Sequence, residues 1–133
     1  MLAEIMSSLS GEVRICDPYY GLGTLENLVM IPVNCTVHFL TVRTNDKPAM
    51  LSTPIADFRR DNPNTELRLF PDQNVLHDRY ILSYDGLILL GLGLKDLANK
   101  ESFVVTIPPK YAEDLIETIR ENFDERWKRS TPL

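Results

Sequence analysis

Residues 12–43 of the chain read EVRICDPYYGLGTLENLVMIPVNCTVHFLTVR, and their hydrophobic pattern changes period twice. Apolar and polar side chains alternate over 12–17, as they do in a half-buried strand. Leucine and valine recur at helical spacing over 21–30, and 34–43 is rich in the valine, threonine and phenylalanine that favour strands. Because a helical crossover joins strands that run in the same direction, this stretch predicts a parallel βαβ unit.

The rest of the chain extends this unit into a mixed sheet. The predicted elements are a helix at 49–61 and strands at 65–70, 75–83, 87–92 and 102–107. Asp85-Gly86 lies between two of the apolar runs, which is a strong hairpin signal. We therefore expect the α/β class, a mixed sheet with a parallel βαβαβ core plus an antiparallel hairpin, flanked by helices. One domain, 1–133, accounts for the whole chain, with a lead-in segment at 1–11 and a C-terminal helix at 108–129.

The C-terminal helix, whose main run is predicted from 110 to about 128, has an apolar residue at every fourth position. These residues are Tyr111, Leu115, Ile119, Phe123 and Trp127. Such a stripe is typical of a core face or a dimer interface. A homodimer is therefore expected.

Composition excludes several classes of protein. Of the 133 residues, 44% are hydrophobic and 25% charged, which excludes a disordered tail and a coiled coil. The net charge of −5 argues against nonspecific DNA coating, because affinity for phosphate backbones comes mostly from positive charge. No apolar stretch could span a bilayer and no secretory signal is visible, so we expect a cytoplasmic protein. Cys16 and Cys35 lack metal-ligand spacing and are expected as buried thiols, and neither a metal nor a cofactor is predicted.

The densest polar cluster in an apolar context is His77-Asp78-Arg79. On a strand, His77 and Arg79 would share one face, where a guanidinium fork and an imidazole could bind a phosphate or sulfate. The imidazole could also act as a nucleophile. In the alternative interpretation, both side chains belong to an exposed strand face and pair with acidic residues.

Further candidates lie at two places along the chain. After the hairpin, Gly91 and Gly93 would let backbone amides approach a ligand, and Lys95 would add a positive charge. Ligands bind at the carboxyl ends of parallel strands in sheets of this kind, which adds Asp17 and Tyr19. His38 lies among apolar residues and is expected to be a hydrogen-bonded core histidine rather than a ligand.

His77-Asp78-Arg79, a hairpin and then Gly91-Leu92-Gly93-Leu94-Lys95-Asp96-Leu97 resemble the phospholipase D-like phosphodiesterase superfamily. The motif of that family reads H-x-K-x-x-x-x-D, with G-S-x-N a few residues later. Asp17-Pro18-Tyr19 and His38-Phe39-Leu40-Thr41 look like segments of the PLD-like C-terminal domain of MIT-domain proteins, and small prokaryotic PLD-like modules have similar pairings. The resemblance runs from about residue 12 to residue 107.

The departures from the family motif bear on activity. In active members the motif histidine forms a phosphohistidine and a histidine from a second motif protonates the leaving group, so the resemblance makes His77 the nucleophile. Arg79 replaces the motif lysine, Tyr84 stands at the position of the motif aspartate with Asp85 one place late, and leucines replace the serine and asparagine. Because a single motif is present, a complete active site would require two chains.

These departures favour a PLD-like domain with a degenerate active site that binds a phosphate-containing ligand or acts as a sensor. That ligand could be a small molecule, a nucleic-acid backbone or a lipid head group, and such a module could be excised from a larger protein. The alternative is a homodimeric phosphodiesterase or nuclease that uses His77 from each chain, with Arg79 as its second catalytic residue. A purely structural dimerisation domain is the third interpretation.

Overall fold

The computed structural model describes residues 2–91 and 104–133. These ranges form a seven-stranded sheet, four α-helices and a 3-10 turn at Pro109–Tyr111. The strands are β1 (Glu12–Cys16), β2 (Thr36–Thr41), β3 (Thr65–Leu69), β4 (Tyr80–Ser83), β5 (Gly86–Leu90), β6 (Val104–Ile107) and β7 (Thr131–Pro132). The helices are α1 (Leu2–Ser7), α2 (Leu22–Leu28), α3 (Pro48–Asp61) and α4 (Glu113–Arg129).

The strands lie in the order β6-β5-β4-β1-β2-β3-β7. β1, β2 and β3 are parallel, as the helical crossovers predict. β4 runs antiparallel to β1, β5 and β6 continue the antiparallel part, and β7 pairs antiparallel with β3 at the other edge. The predicted α/β class, with a parallel βαβαβ core and an antiparallel hairpin, is therefore confirmed.

Helices cover both faces of the sheet and create two cores. The first core lies between the sheet and α1, α2 and α3, and the second lies between the sheet and α4. Side chains of a strand alternate between the two, so Ile15 of β1 belongs to the first core and Cys16 to the second. Buried helical residues in these cores are Met6, Leu28, Phe58, Ile116 and Phe123.

The predicted stripe on the last helix is confirmed only in its second half, where Phe123 is buried and Ile119 and Trp127 pack against the second core. Tyr111 and Leu115 are instead 73% and 48% exposed, and Ile116, which lies outside the stripe, is buried. With 3.6 residues per turn, each four-residue step rotates the side chain by about 40° beyond a full turn, so a strict every-fourth stripe leaves the buried face. The helix also begins at Glu113 rather than 110, because Ala112 has a φ of −152° and interrupts it.

The strand predicted at 75–83 is only half formed, since β4 begins at Tyr80. Tyr80 pairs with Cys16, the last residue of β1, so a longer β4 would extend past its partner strand. The backbone of Arg79 still accepts a hydrogen bond from the N–H of Leu90 at 3.0 Å. His77 and Asp78 therefore lie in irregular structure before β4 and not on a strand.

The predicted hairpin is confirmed. Ser83 pairs with Gly86 across a two-residue turn, Tyr84-Asp85. Gly86 has a φ of +129°, and a Cβ at this position would lie 2.3 Å from the carbonyl oxygen of Ile107 on β6. Glycine is therefore required here both by backbone conformation and by the close approach of the neighbouring strand.

Both cysteines are buried and unpaired, as predicted. Burial raises the pKa of the Cys16 thiol to about 12 and also raises the pKa of Cys35. Of the helices in the described ranges, none is long and apolar enough to cross a membrane.

Candidate anion-binding site

The ends of three adjacent strands meet at what we call the carboxyl edge, defined by Asp17, Thr41 and Arg79. Asp17 follows β1 directly, Thr41 is the last residue of β2, and Arg79 comes immediately before β4. Each of these residues lies two positions along the chain from a residue of the first core, and those core residues are paired with one another between neighbouring strands. Because side chains two positions apart on a strand point to the same face, all three polar side chains lie on the face of the first core. Those first-core residues are Ile15, Phe39 and Ile81.

Asp17 and Arg79 form a close but imperfect ion pair. The Nε of Arg79 lies 3.7 Å from Oδ1 of Asp17, which is too long for a hydrogen bond. The Asp17 side chain has no exposed surface, while that of Arg79 is 29% exposed. Oδ1 of Asp17 accepts a hydrogen bond from the backbone N–H of Tyr19 at 3.1 Å. The Nε of Arg79 is buried and has no hydrogen-bond partner among the described residues.

Tyr19 is contacted by two guanidinium groups. The Cζ atoms of Arg43 and Arg79 lie 5.1 Å and 5.9 Å from the centre of its ring, within the range of cation–π attraction. Tyr19 and Arg43 also form an isolated parallel bridge beyond the ends of β1 and β2. Arg43 donates a hydrogen bond from Nη2 to the carbonyl of Gln73 at 2.5 Å.

Thr41 and Arg43 are not among the site residues predicted from the sequence. Thr41 Oγ1 and Arg43 Nε are buried, and neither has a hydrogen-bond partner within the described ranges. The signal that selects Asp17, a polar residue at the carboxyl end of a parallel strand, applies equally to the end of the strand predicted at 34–43. Applied to both strands, it would have found these two residues as well.

The structure brings some of the predicted site residues together. Contacts join Asp17, Tyr19 and Arg79, whereas His77 and Asp78 are exposed on the segment before β4. Gly91 is exposed and follows β5 directly, and Leu90 before it pairs with Val104 of β6. Gly93 and Lys95 lie outside the described residues.

The hairpin turn lies at the opposite end of the strands from the carboxyl edge. Because β4 runs antiparallel to β1, it carries the chain toward the end of the sheet where β1 begins, and Leu82 pairs with Arg14 along the way. Tyr84, at the motif aspartate position, is 83% exposed in this turn. Asp85 therefore does not bring a carboxylate to the carboxyl edge.

A second polar cluster lies on the α4 side of the sheet. His38 is half-buried, and its ring stacks on Trp127 with centroids 4.3 Å apart and planes inclined by 5°. Burial lowers the pKa of His38. A cleft of about 280 Å³ opens beside the stack, and Arg14 at its wall pairs with Asp124 at 2.8 Å. His38 is thus a half-buried stacking residue.

Potential metal ligands are scattered over the described part of the chain. Its histidine, cysteine, aspartate and glutamate side chains form no group of three that could hold a metal ion. Among the described residues, the groups at the carboxyl edge are two guanidinium groups, a hydroxyl and one buried carboxylate. The guanidinium and hydroxyl groups are hydrogen-bond donors that suit an anion, whereas the carboxylate opposes one.

No family model and no curated protein matches the sequence. Solved structures do match over nearly the whole chain. Nuc from Salmonella typhimurium, a phospholipase D family member, is 17% identical to this chain with a TM-score of 0.72. The match covers 99% of this chain and 88% of Nuc. NucT from Helicobacter pylori is 12% identical with a TM-score of 0.69 and the same coverage. The chain therefore has the phospholipase D-like fold that the sequence motifs predict.

A third similar structure is TrmBL2, an archaeal chromatin protein described as showing a novel mode of DNA binding. It is 15% identical to this chain, with a TM-score of 0.63. The match covers 98% of this chain but 48% of TrmBL2, so the chain spans about half the length of that protein.

Proposed function

We propose that this protein is a phospholipase D-like module that binds a phosphate-containing ligand at its carboxyl edge, in the manner of a sensor rather than an efficient enzyme. The observation that carries the proposal is the buried Nε of Arg79, which has no hydrogen-bond partner among the described residues. A buried donor without a partner costs about 1–3 kcal/mol. A phosphate oxygen would supply the missing acceptor.

The surroundings of Arg79 support an anion that is held and released. Asp17 offsets part of the guanidinium charge, but at 3.7 Å it leaves the hydrogen-bonding capacity of Nε unused. The Arg79 side chain is 29% exposed although its Nε is buried, so a ligand would approach Nε through the exposed part of the side chain. His77 lies two residues away with an exposed side chain, where its imidazole could donate a further hydrogen bond.

The ligand class that we propose is defined by its phosphate group. A nucleic-acid backbone is the first source to test, because TrmBL2, which has a similar fold, is described as a chromatin protein that binds DNA. The net charge of −5 disfavours long stretches of nonspecific backbone contact, so a short strand or a small phosphorylated molecule fits better. Lipid head groups form the third source.

The test is a titration of the protein with inorganic phosphate, in which NMR chemical shifts of the protein report binding. Arg79→Gln should weaken binding about tenfold or more, since a hydrogen bond to a charged group contributes about 1.5–3 kcal/mol. Arg120→Gln is the matched control, because Arg120 lies on α4 and pairs with Glu117 at 2.6 Å. Equal affinities in the two variants would contradict the proposal. A short oligonucleotide, a sugar phosphate and anionic vesicles then distinguish the sources.

A homodimeric phosphodiesterase is the second candidate. It is favoured by the exposed position of His77 next to the carboxyl edge and by the fold shared with Nuc. In this case the wild type should sediment as a dimer and hydrolyse a model phosphodiester, and His77→Asn should abolish turnover without unfolding the protein. A monomer without turnover would exclude this candidate and leave the binding module.

A further inference from the structure

We propose that Thr41 and Arg43 form a second anion subsite beside Arg79, so that the ligand carries two adjacent phosphate groups. This inference rests on the proposed function and extends it to the class of ligand. One phosphate group would contact Arg79, and the next would contact Arg43 and the hydroxyl of Thr41.

The first argument is where the unsatisfied polar atoms lie. Within the described ranges, three buried side-chain nitrogen or oxygen atoms lack a hydrogen-bond partner: Thr41 Oγ1, Arg43 Nε and Arg79 Nε. All three belong to residues at or just beyond the carboxyl edge, and each can donate a hydrogen bond. Buried polar groups are nearly always paired, and these three atoms belong to residues at the same end of the sheet, so a ligand that entered there would supply the acceptors that they lack.

The second argument is the arrangement of the two positive charges. Arg43 and Arg79 both contact the ring of Tyr19, at 5.1 Å and 5.9 Å from its centre. Guanidinium groups gathered around one ring repel each other, and a ligand with two negative groups would relieve that repulsion. Asp17 lies close to Arg79, so it offsets part of the positive charge of Arg79.

Arg43 could instead be purely structural, since its Nη2 ties down the turn that contains Gln73. That bond uses one donor of the guanidinium and leaves Nε without a partner. A structural role predicts that replacing Arg43 lowers stability without changing which anion is preferred. A second subsite predicts a change in preference.

The test compares inorganic phosphate with pyrophosphate by calorimetric titration of the full chain. We expect wild-type protein to bind pyrophosphate at least about tenfold more tightly. Arg43→Gln should remove most of that preference and change phosphate affinity less than about twofold, whereas Arg79→Gln should weaken both. These two variants remove the same charge, so their difference reports position and not net charge. Arg120→Gln controls for remote charge.

Each outcome separates the two proposals. Failure of both probes to bind the wild type would overturn the proposed function and this extension together. Equal affinity for the two probes, or an Arg43→Gln variant that weakens both alike, would overturn the second subsite alone. If Arg43→Gln does not fold, Thr41→Val serves in its place, and a retained preference for pyrophosphate in that variant overturns the subsite.

Discussion

The Nε of Arg79 and the Oδ1 of Asp17 lie 3.7 Å apart. The Asp17 side chain is fully buried, whereas the Arg79 side chain is partly exposed to solvent. The pair attracts without a hydrogen bond between these two atoms, and the carboxylate is held by the N–H of Tyr19 instead. Asp17 thus competes with any anion for Arg79 while keeping the guanidinium at the carboxyl edge.

The first prediction concerns this competition. Asp17→Asn keeps the shape of the side chain and one acceptor for Tyr19, but it removes the negative charge next to Arg79. We expect phosphate affinity to rise several-fold and the free energy of unfolding to fall by about 1–3 kcal/mol. Calorimetric titration and urea denaturation measure the two changes. Unchanged phosphate affinity would show that Asp17 does not oppose the ligand.

The second prediction concerns the turn glycine. Gly86→Ala places a methyl group 2.3 Å from the Ile107 carbonyl at a φ of +129°, and should cost about 2–3 kcal/mol of stability. Gly11→Ala is the matched control, since Gly11 has a φ of +69° but open space around its Cβ position. It should cost about 1 kcal/mol. Urea denaturation of both variants checks the order, and equal losses would contradict the close contact with β6.

The third prediction tests which face of α4 is buried. Phe123 has no exposed surface, so Phe123→Ala should lower the free energy of unfolding by about 3–5 kcal/mol. Leu115 is 48% exposed, and Leu115→Ala should cost less than about 1 kcal/mol. If Leu115→Ala proved as costly as Phe123→Ala, Leu115 would have to be covered in solution, as a dimer interface would require.

The fourth prediction concerns pH. Burial lowers the pKa of His38 below its ordinary 6.5, with Glu66 and Asp124 opposing the shift and Arg14 and Arg68 adding to it. The unfolded chain therefore binds a proton at a higher pH than the folded chain does. The contribution of His38 to stability is present in full above pH 6.5 and is lost as the pH falls through the folded pKa.

The measurement is the free energy of unfolding from pH 7.5 to 5, in the wild type and in His38→Gln. The wild type should lose more stability across this interval than the variant, and an NMR titration should give His38 a pKa below 6.5. Identical slopes for the two proteins would count against a buried neutral imidazole on Trp127.

Local sequence patterns predicted most of the fold because they reflect short-range physics. Strand alternation, helical crossovers and the Asp85-Gly86 turn depend on neighbours along the chain, and the structure confirms the mixed sheet built from them. The amino end of β4 was predicted too early, because its limit is set by where β1 stops at Cys16. That limit is a property of the paired strands and is invisible within residues 75–83.

The candidate site was less predictable for the same reason. Asp17, Tyr19 and Arg79 came from strand ends and a family motif, and the structure brings these three into contact. Thr41 ends β2 and Arg43 lies just beyond it, and the parallel register of β1 and β2 places both residues at the same edge as Asp17. Which polar atoms lack partners depends on packing in three dimensions, and no spacing rule contains that information.

The position of β4 beside β1 has a consequence for how the protein can be divided. Asp17 comes from the first βαβ unit and Arg79 from the hairpin unit, and they become neighbours only when the two units dock edge to edge. A fragment truncated before residue 75 would keep Asp17, Tyr19 and Arg43 but lack the partner guanidinium. Anion affinity would then serve as a readout of complete assembly, usable to follow refolding or to screen split versions of the chain for reconstitution.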